Sequence, residues 1–195
     1  NSQLTMTIAD DDALINEVLA NVTAGTVGSP LYDETNLEYV ELIGTPGASL
    51  NDYFFVVFEG QEEENGGTGS GIADVVINLA GQTFGSNGLL LITGNDFGMA
   101  DINGTPTQLP GFVVDPNTTR LVVPGFSLED NSQTYALVRS SVPIVQGTDY
   151  DTVGTYTSGA LDALDSPLGA VGVLDVGPFL PGGGAQIVDS AFVQQ

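Results

Sequence analysis

Short apolar runs alternate with turn residues along most of the chain, at intervals of roughly a dozen residues. The clearest run, Tyr53-Phe54-Phe55-Val56-Val57-Phe58, is apolar at every position, which predicts a central strand buried on both faces. Glycine, proline and asparagine lie between the runs, as in Thr45-Pro46-Gly47 and Ser86-Asn87-Gly88. This pattern is typical of an all-β domain, either a sandwich or a barrel. Further strands are predicted at 75–79, 89–93, 112–114, 120–123, 135–139, 171–176 and 187–193.

The start of the chain has its own pattern. Leu4, Met6 and Ile8 alternate with threonines, which on a strand places three apolar side chains on one face. The sequence therefore predicts a strand-like extension over residues 1–12, ahead of a single domain over 13–195. An arm of this kind can complete the sheet of a neighbouring subunit by β-strand addition.

The segment that follows the extension is ambiguous. In Asp12-Ala13-Leu14-Ile15-Asn16-Glu17-Val18-Leu19-Ala20, an acidic N-cap candidate precedes apolar residues at helical spacing. Local pattern alone predicts a helix here.

The residue inventory limits the chemistry. The chain contains no Cys, His, Trp or Lys, and its only cations are Arg120 and Arg139. It therefore lacks the usual general base near neutrality, the thiolate nucleophile and the Schiff-base amine. A carboxylate pair or a carboxylate-bound metal is the remaining route to catalysis, and no such pair stands out. We expect a protein that is not an enzyme.

The net charge of −23 limits the partners. Two cations cannot supply the phosphate contacts that nucleic acids or anionic membranes require, whereas divalent cations and basic partners are favoured. No apolar stretch is long enough for a membrane-spanning helix, so no membrane insertion is expected. The Debye length is ~8 Å at physiological salt, so copies of the chain can associate, in a way that depends on salt or calcium.

Two motifs in order resemble the opening of the lamin-tail domain as it occurs in secreted bacterial proteins. They are Leu14-Ile15-Asn16-Glu17-Val18 and, after a variable loop, Glu38-Tyr39-Val40-Glu41-Leu42. The resemblance is strong over residues 13–94, including Gly44-Thr45-Pro46-Gly47, and extends more weakly to Val193. It implies an antiparallel immunoglobulin-like β-sandwich, a strand rather than a helix at 13–20, and a secreted, non-catalytic protein. The chain begins at Asn1, which fits removal of a signal peptide and equally fits a piece of a longer chain.

Three glutamates of these motifs form a first candidate site. Glu17, Glu38 and Glu41 are interpreted either as a carboxylate cluster that binds a cation or as structural groups, with Glu17 or Glu41 accepting backbone N–H bonds at a sheet end. Because Glu38 and Glu41 are three residues apart, we expect them on opposite faces of a strand.

A second candidate is a calcium loop formed by Asp149, Asp151, Asp162 and Asp165. Calcium needs roughly six to eight oxygen ligands. Val153-Gly154-Thr155 stands where a further acid is expected, so a solvated turn is the alternative. The acidic runs 10–12 and 62–64 are interpreted as solvated, or as sites where cations bridge subunits.

The two arginines are the third candidate. Arg120 and Arg139 are each expected to pair with a carboxylate of the same chain, or to lie across an interface against an acidic neighbour.

The leading hypothesis is a secreted structural protein that assembles with copies of itself into an extracellular filament, tube, sheath or surface layer. Leu4, Met6 and Ile8 would be the assembly residues, and calcium is the one candidate ion. The alternative is a non-catalytic binding or spacer module of a larger secreted nuclease or hydrolase. A hydrolase that uses only carboxylates and a metal is a third hypothesis.

Overall fold

The computed structural model describes residues 13–20, 37–59, 72–102, 105–109, 111–128, 133–148, 150 and 166–173. These residues form ten strands and no helix, so no helix in them could span a membrane. The strands are β1 Leu14–Leu19, β2 Tyr39–Ile43, β3 Tyr53–Glu59, β4 Ala73–Asn78, β5 Leu89–Thr93, β6 Met99–Ile102, β7 Thr105–Gln108, β8 Thr119–Val122, β9 Gln133–Arg139 and β10 Ser166–Val173.

The strands form two four-stranded sheets and one small hairpin. The first sheet has the order β1-β2-β5-β8, the second has the order β10-β9-β3-β4, and β6 pairs with β7. Every pair is antiparallel except β5 and β8, which run parallel. The parallel pair is possible because 94–118, which contain the hairpin, form a connection long enough to return the chain to the same end. The predicted all-β sandwich is confirmed, with this departure from a purely antiparallel arrangement.

The main core lies between the two sheets. Val40, Leu42 and Ile92 from the first sheet face Phe55 and Tyr135 from the second, and all five are fully buried. The rings of Phe55 and Tyr135 stack with their centroids 6.3 Å apart. This burial confirms the central strand predicted from the apolar run.

The outer face of the second sheet is also covered. Phe54, Val56 and Phe58, which alternate with the main core residues, form a second buried cluster with Ile144. Tyr150 packs edge-on against Phe58, with ring centroids 6.1 Å apart. Strand β3 is therefore apolar at both faces because two different layers cover it.

Strand β1 explains the ambiguous helical pattern. Its pairing with β2 shifts register between Ile15 and Glu17, which marks a β-bulge. The extra residue breaks the two-residue alternation, so Ile15 and Val18 both pack against the main core. A bulged strand therefore carries apolar residues at a spacing that imitates one helical turn. The helix predicted from local pattern is wrong for 14–19, and the strand expected from the resemblance is confirmed.

Two other differences from the sequence predictions concern the long connection. Residues 112–114 do not form a strand, whereas β6 and β7 were not predicted. Asp101 and Pro106 face each other in this hairpin, and both residue types are poor strand formers. The expected turns at 45–47 and 86–88 are present, with positive φ at Gly47 and Gly88.

Candidate functional site

A row of side chains crosses the outer face of the first sheet. Glu17, Glu41, Leu91 and Arg120 are neighbours in register on β1, β2, β5 and β8. Glu41 alternates with Val40 and Leu42 of the main core, which places this row on the face away from the second sheet. The row, called here the charged row, has two carboxylates at one end and a guanidinium at the other.

The two carboxylates of the charged row have polar partners. The side-chain amide of Asn16 donates a hydrogen bond to Glu41 Oε1. The Tyr39 hydroxyl donates to Glu17, and burial, this bond and the nearby negative charges of Glu17 and Glu41 raise the pKa of Tyr39 to about 12. Like charges directly opposite on paired strands repel, and these polar contacts reduce that cost.

The third glutamate lies elsewhere. Glu38 is only 1% exposed, and its Oε2 accepts a hydrogen bond of 2.7 Å from the backbone N–H of Leu128. It faces the interior while Glu41 faces outward, so the prediction of opposite faces is confirmed. The three glutamates do not form one cluster, and among the described residues Glu38, rather than Glu17 or Glu41, accepts a backbone N–H bond. Within the described residues, no group of three or more acidic side chains is arranged to hold a metal ion.

At the other end of the charged row, two hydrogen bonds fix the guanidinium of Arg120. Its Nε donates to Thr93 Oγ1 at 2.9 Å and its Nη2 donates to the carbonyl of Gly94 at 3.0 Å. Its Cζ lies 5.6 Å from the centroid of the Phe97 ring. Phe97 contacts Tyr39 and Phe112 edge-on, each with a centroid separation of 5.8 Å.

The connection 94–118, which contains the β6–β7 hairpin, holds the rings of Phe97 and Phe112 in place. Gly98 has a φ of 74°, and the Leu109 N–H donates to its carbonyl at 2.7 Å. The Gln108 side-chain amide donates to the carbonyls of Gly98 and Phe112 at 3.1 and 2.9 Å. The Gln108 amide therefore links the residues before the hairpin to those after it. This link places Phe97 and Phe112 over the outer face of the first sheet.

The other arginine has a simpler environment. Arg139 is exposed, and its Cζ lies 5.9 Å from the centroid of the Tyr53 ring. Neither Arg139 nor Arg120 forms an ion pair in the part of the chain that the structure describes. The expected intramolecular pairing with carboxylates is therefore not found there, because both guanidinium groups lie against aromatic rings instead.

Sequence reasoning missed most of this site. Thr93, Phe97 and Phe112 had no predicted role, since they lie at a strand end and in a connection without a recognisable motif. Gln133 was also missed: it is buried, its Oε1 accepts a hydrogen bond of 3.0 Å from the Tyr135 hydroxyl, and its Nε2 has no acceptor among the described residues. No local pattern marks a buried polar pair of this kind.

Two predicted sets of site residues lie outside the described part of the chain. They are the calcium candidates Asp149, Asp151, Asp162 and Asp165 and the assembly candidates Leu4, Met6 and Ile8. Both sets stay predictions.

Comparison of the chain with models of protein families, with curated proteins and with solved structures gives no match. The fold alone defines the class of the protein, an all-β sandwich. The outer face of its first sheet carries charged side chains beside aromatic rings. The resemblance to lamin-tail domains stays a hypothesis that rests on the two motifs.

Proposed function

We propose that this chain is a secreted, non-catalytic structural protein that assembles with copies of itself into an extracellular filament, tube, sheath or surface layer. Assembly proceeds by addition of the N-terminal arm to a sheet edge of a neighbouring subunit, and it depends on cations such as calcium. The immunoglobulin-like character of the sandwich and its lamin-tail relationship belong to the same proposal.

The observation that carries the proposal is the edge formed by β8. Within the described residues, β8 pairs with β5 on one side and has no strand on the other. An edge of this kind offers backbone N–H and C=O groups to an added strand. Strands β1, β4 and β10 are the other edges of the two sheets in the described residues. Of these, the β4 edge is less available, because Ala73 exchanges hydrogen bonds of 3.0 and 2.8 Å with Thr148 and Gly147.

The arm fits such an edge in length and pattern. The alternating stretch from Leu4 to Ile8 is about as long as β8, which has four residues. Burial of each apolar side chain contributes roughly 1.5–3 kcal/mol. Ordering the backbone costs about 1–2 kcal/mol per residue, so the arm needs the hydrogen bonds of a ladder as well as side-chain burial.

Cation dependence follows from the charge. Copies with a net charge of −23 repel one another at short range, and bound divalent cations reduce this repulsion. A cation that binds only the assembled or native form stabilises that form by mass action.

The test is electron microscopy and sedimentation of the intact protein, with and without calcium, beside two arm variants. Replacing Leu4, Met6 and Ile8 together by serine removes the apolar face of the arm and is expected to abolish assembly while leaving a folded monomer. The matched control replaces Thr5 and Thr7 by alanine on the opposite face and is expected to assemble as the intact protein does. Assembly of the serine variant would contradict the donor-strand route.

One observation favours the alternative of a binding or spacer module. Tyr39 and Phe112 are half-buried around Phe97 on the outer face of the first sheet, and aromatic residues are enriched in binding surfaces. This alternative predicts dispersed particles at every protein and calcium concentration in the same experiment.

A further inference from the structure

The hydrogen bonds of Arg120 leave part of its guanidinium unused. A guanidinium has more N–H donors than the two that Thr93 and Gly94 engage. The side chain is exposed, and no carboxylate in the described residues pairs with it. The free donors therefore face solvent on a group whose orientation is already set.

This orientation matters for binding. An arginine on a flexible side chain loses rotamer entropy when it binds, whereas a guanidinium held by two hydrogen bonds and a ring has already lost much of it. The planar fork of arginine matches a carboxylate through two parallel hydrogen bonds. Arg120 is thus positioned to donate hydrogen bonds to a carboxylate.

The chain cannot easily supply that carboxylate within the same sheet. Leu91 lies between Arg120 and Glu41 in the charged row. Neighbouring strands are roughly 4.8 Å apart, so the two backbones are about 10 Å apart. The Glu41 carboxylate already accepts a hydrogen bond from Asn16, on the side towards β1.

We infer that Arg120 binds an aspartate or glutamate side chain of a second copy of this chain. Charge complementarity identifies the occupant: a copy offers 25 acidic residues and only two cations, so contacts between charged side chains of two copies nearly all bring acid against acid. A contact that places Arg120 against an acid avoids this repulsion. The inference rests on the proposed self-assembly. It names Arg120 as the side chain that aligns one copy against the next.

Arg139 provides a matched comparison. It is exposed and lies over an aromatic ring, as Arg120 does, but no hydrogen bond fixes its guanidinium in the described structure. Replacing either Arg120 or Arg139 by glutamine changes the net charge of the chain by the same amount. A difference between them therefore reports the fixed geometry of Arg120 rather than the charge of the chain.

The experiment measures the lowest protein concentration that gives assemblies, by sedimentation at physiological salt with calcium. Arg120→Gln is expected to raise this concentration by at least about tenfold, since hydrogen bonds to charged groups contribute about 1.5–3 kcal/mol. Arg139→Gln is expected to change it by less than about threefold, as for an exposed ion pair. Arg120→Lys keeps the charge but not the fork, and an intermediate value is expected.

Circular dichroism and thermal melting check that each variant is folded. If Arg120→Gln does not fold, Arg120→Lys provides the test in its place. The inference is overturned if folded Arg120 variants assemble as the intact protein does, or if Arg139→Gln has an equal effect; the proposed function then stands. If the intact protein itself never assembles, the proposed function fails and this inference fails with it.

Discussion

The two sheets of this sandwich differ in what covers their outer faces. In the second sheet, the outer face of β3 is buried under Ile144 and Tyr150, so its central strand is closed to solvent on both sides. In the first sheet, the outer face carries Glu17, Glu41 and Arg120, and among the described residues the aromatic rings beside the β6–β7 hairpin cover it in part. Both sheets stabilise the fold through the main core, whereas their outer faces differ: that of the second sheet forms a further buried layer, and that of the first presents charged groups.

The largest expected effect concerns the sheet that is buried on both faces. Phe55 is fully buried and stacks on Tyr135, so Phe55→Ala removes a large side chain from the main core. We expect a loss of about 3–5 kcal/mol in the free energy of unfolding, measured by urea denaturation.

A matched pair of valines sharpens this comparison. Val56 on the outer face of the second sheet is fully buried, whereas Val122 on the outer face of the first is 41% exposed. Val56→Ala should be clearly destabilising, while Val122→Ala should stay within about 0.5 kcal/mol of the unchanged chain. Equal costs at both positions would contradict the difference between the two outer faces.

A smaller effect is expected from the buried glutamate of the first sheet. Glu38→Ala leaves the N–H of Leu128, a residue only 2% exposed, without its carboxylate acceptor. The expected loss is roughly 1–3 kcal/mol, because an unpaired buried donor costs its full desolvation. Glu41→Ala is the control: it removes one of two opposing carboxylates and should change stability by less than about 1 kcal/mol. A larger loss for Glu41→Ala would show that the charged row is itself structural.

The smallest effect concerns Tyr39 at alkaline pH. Its pKa is raised to about 12, from 10.0, so the fold favours the neutral hydroxyl. The stabilisation linked to this shift is complete below pH 10 and is lost as the pH rises through 12. Tyr39→Phe should therefore flatten the fall in stability across this interval and remove a tyrosinate absorbance step near its upper end. An unchanged pH profile in Tyr39→Phe would contradict the contact with Glu17.

The local sequence pattern predicted strand β3 of the second sheet better than strand β1 of the first. The continuous apolar run at 53–58 indicates a strand covered on both sides, because it is short and consists of aromatic and β-branched residues. Strand β1 could not be predicted from local pattern, since its bulge between Ile15 and Glu17 gives the apolar residues of a strand the spacing of a helix. The resemblance to lamin-tail domains placed it correctly.

The candidate site was predicted only in its residue types. The sequence pointed to Glu17, Glu41 and Arg120, but their alignment in one row depends on pairings between strands far apart in the chain. Phe97 comes from a connection whose path is set by the Gln108 side chain. Such long-range placements have no periodic signal, so local reasoning cannot find them.

The most direct test compares amide hydrogen exchange in assembled and dispersed protein, at the same salt concentration. If copies meet at the first sheet, peptides that cover β8, Thr119–Val122, should gain protection on assembly. Peptides of β3 and β9 should change little, because their amides already lie within the central pairs of the second sheet. Assemblies in which β8 exchanges as fast as in the dispersed protein would contradict the claim that the first sheet is the surface where copies meet.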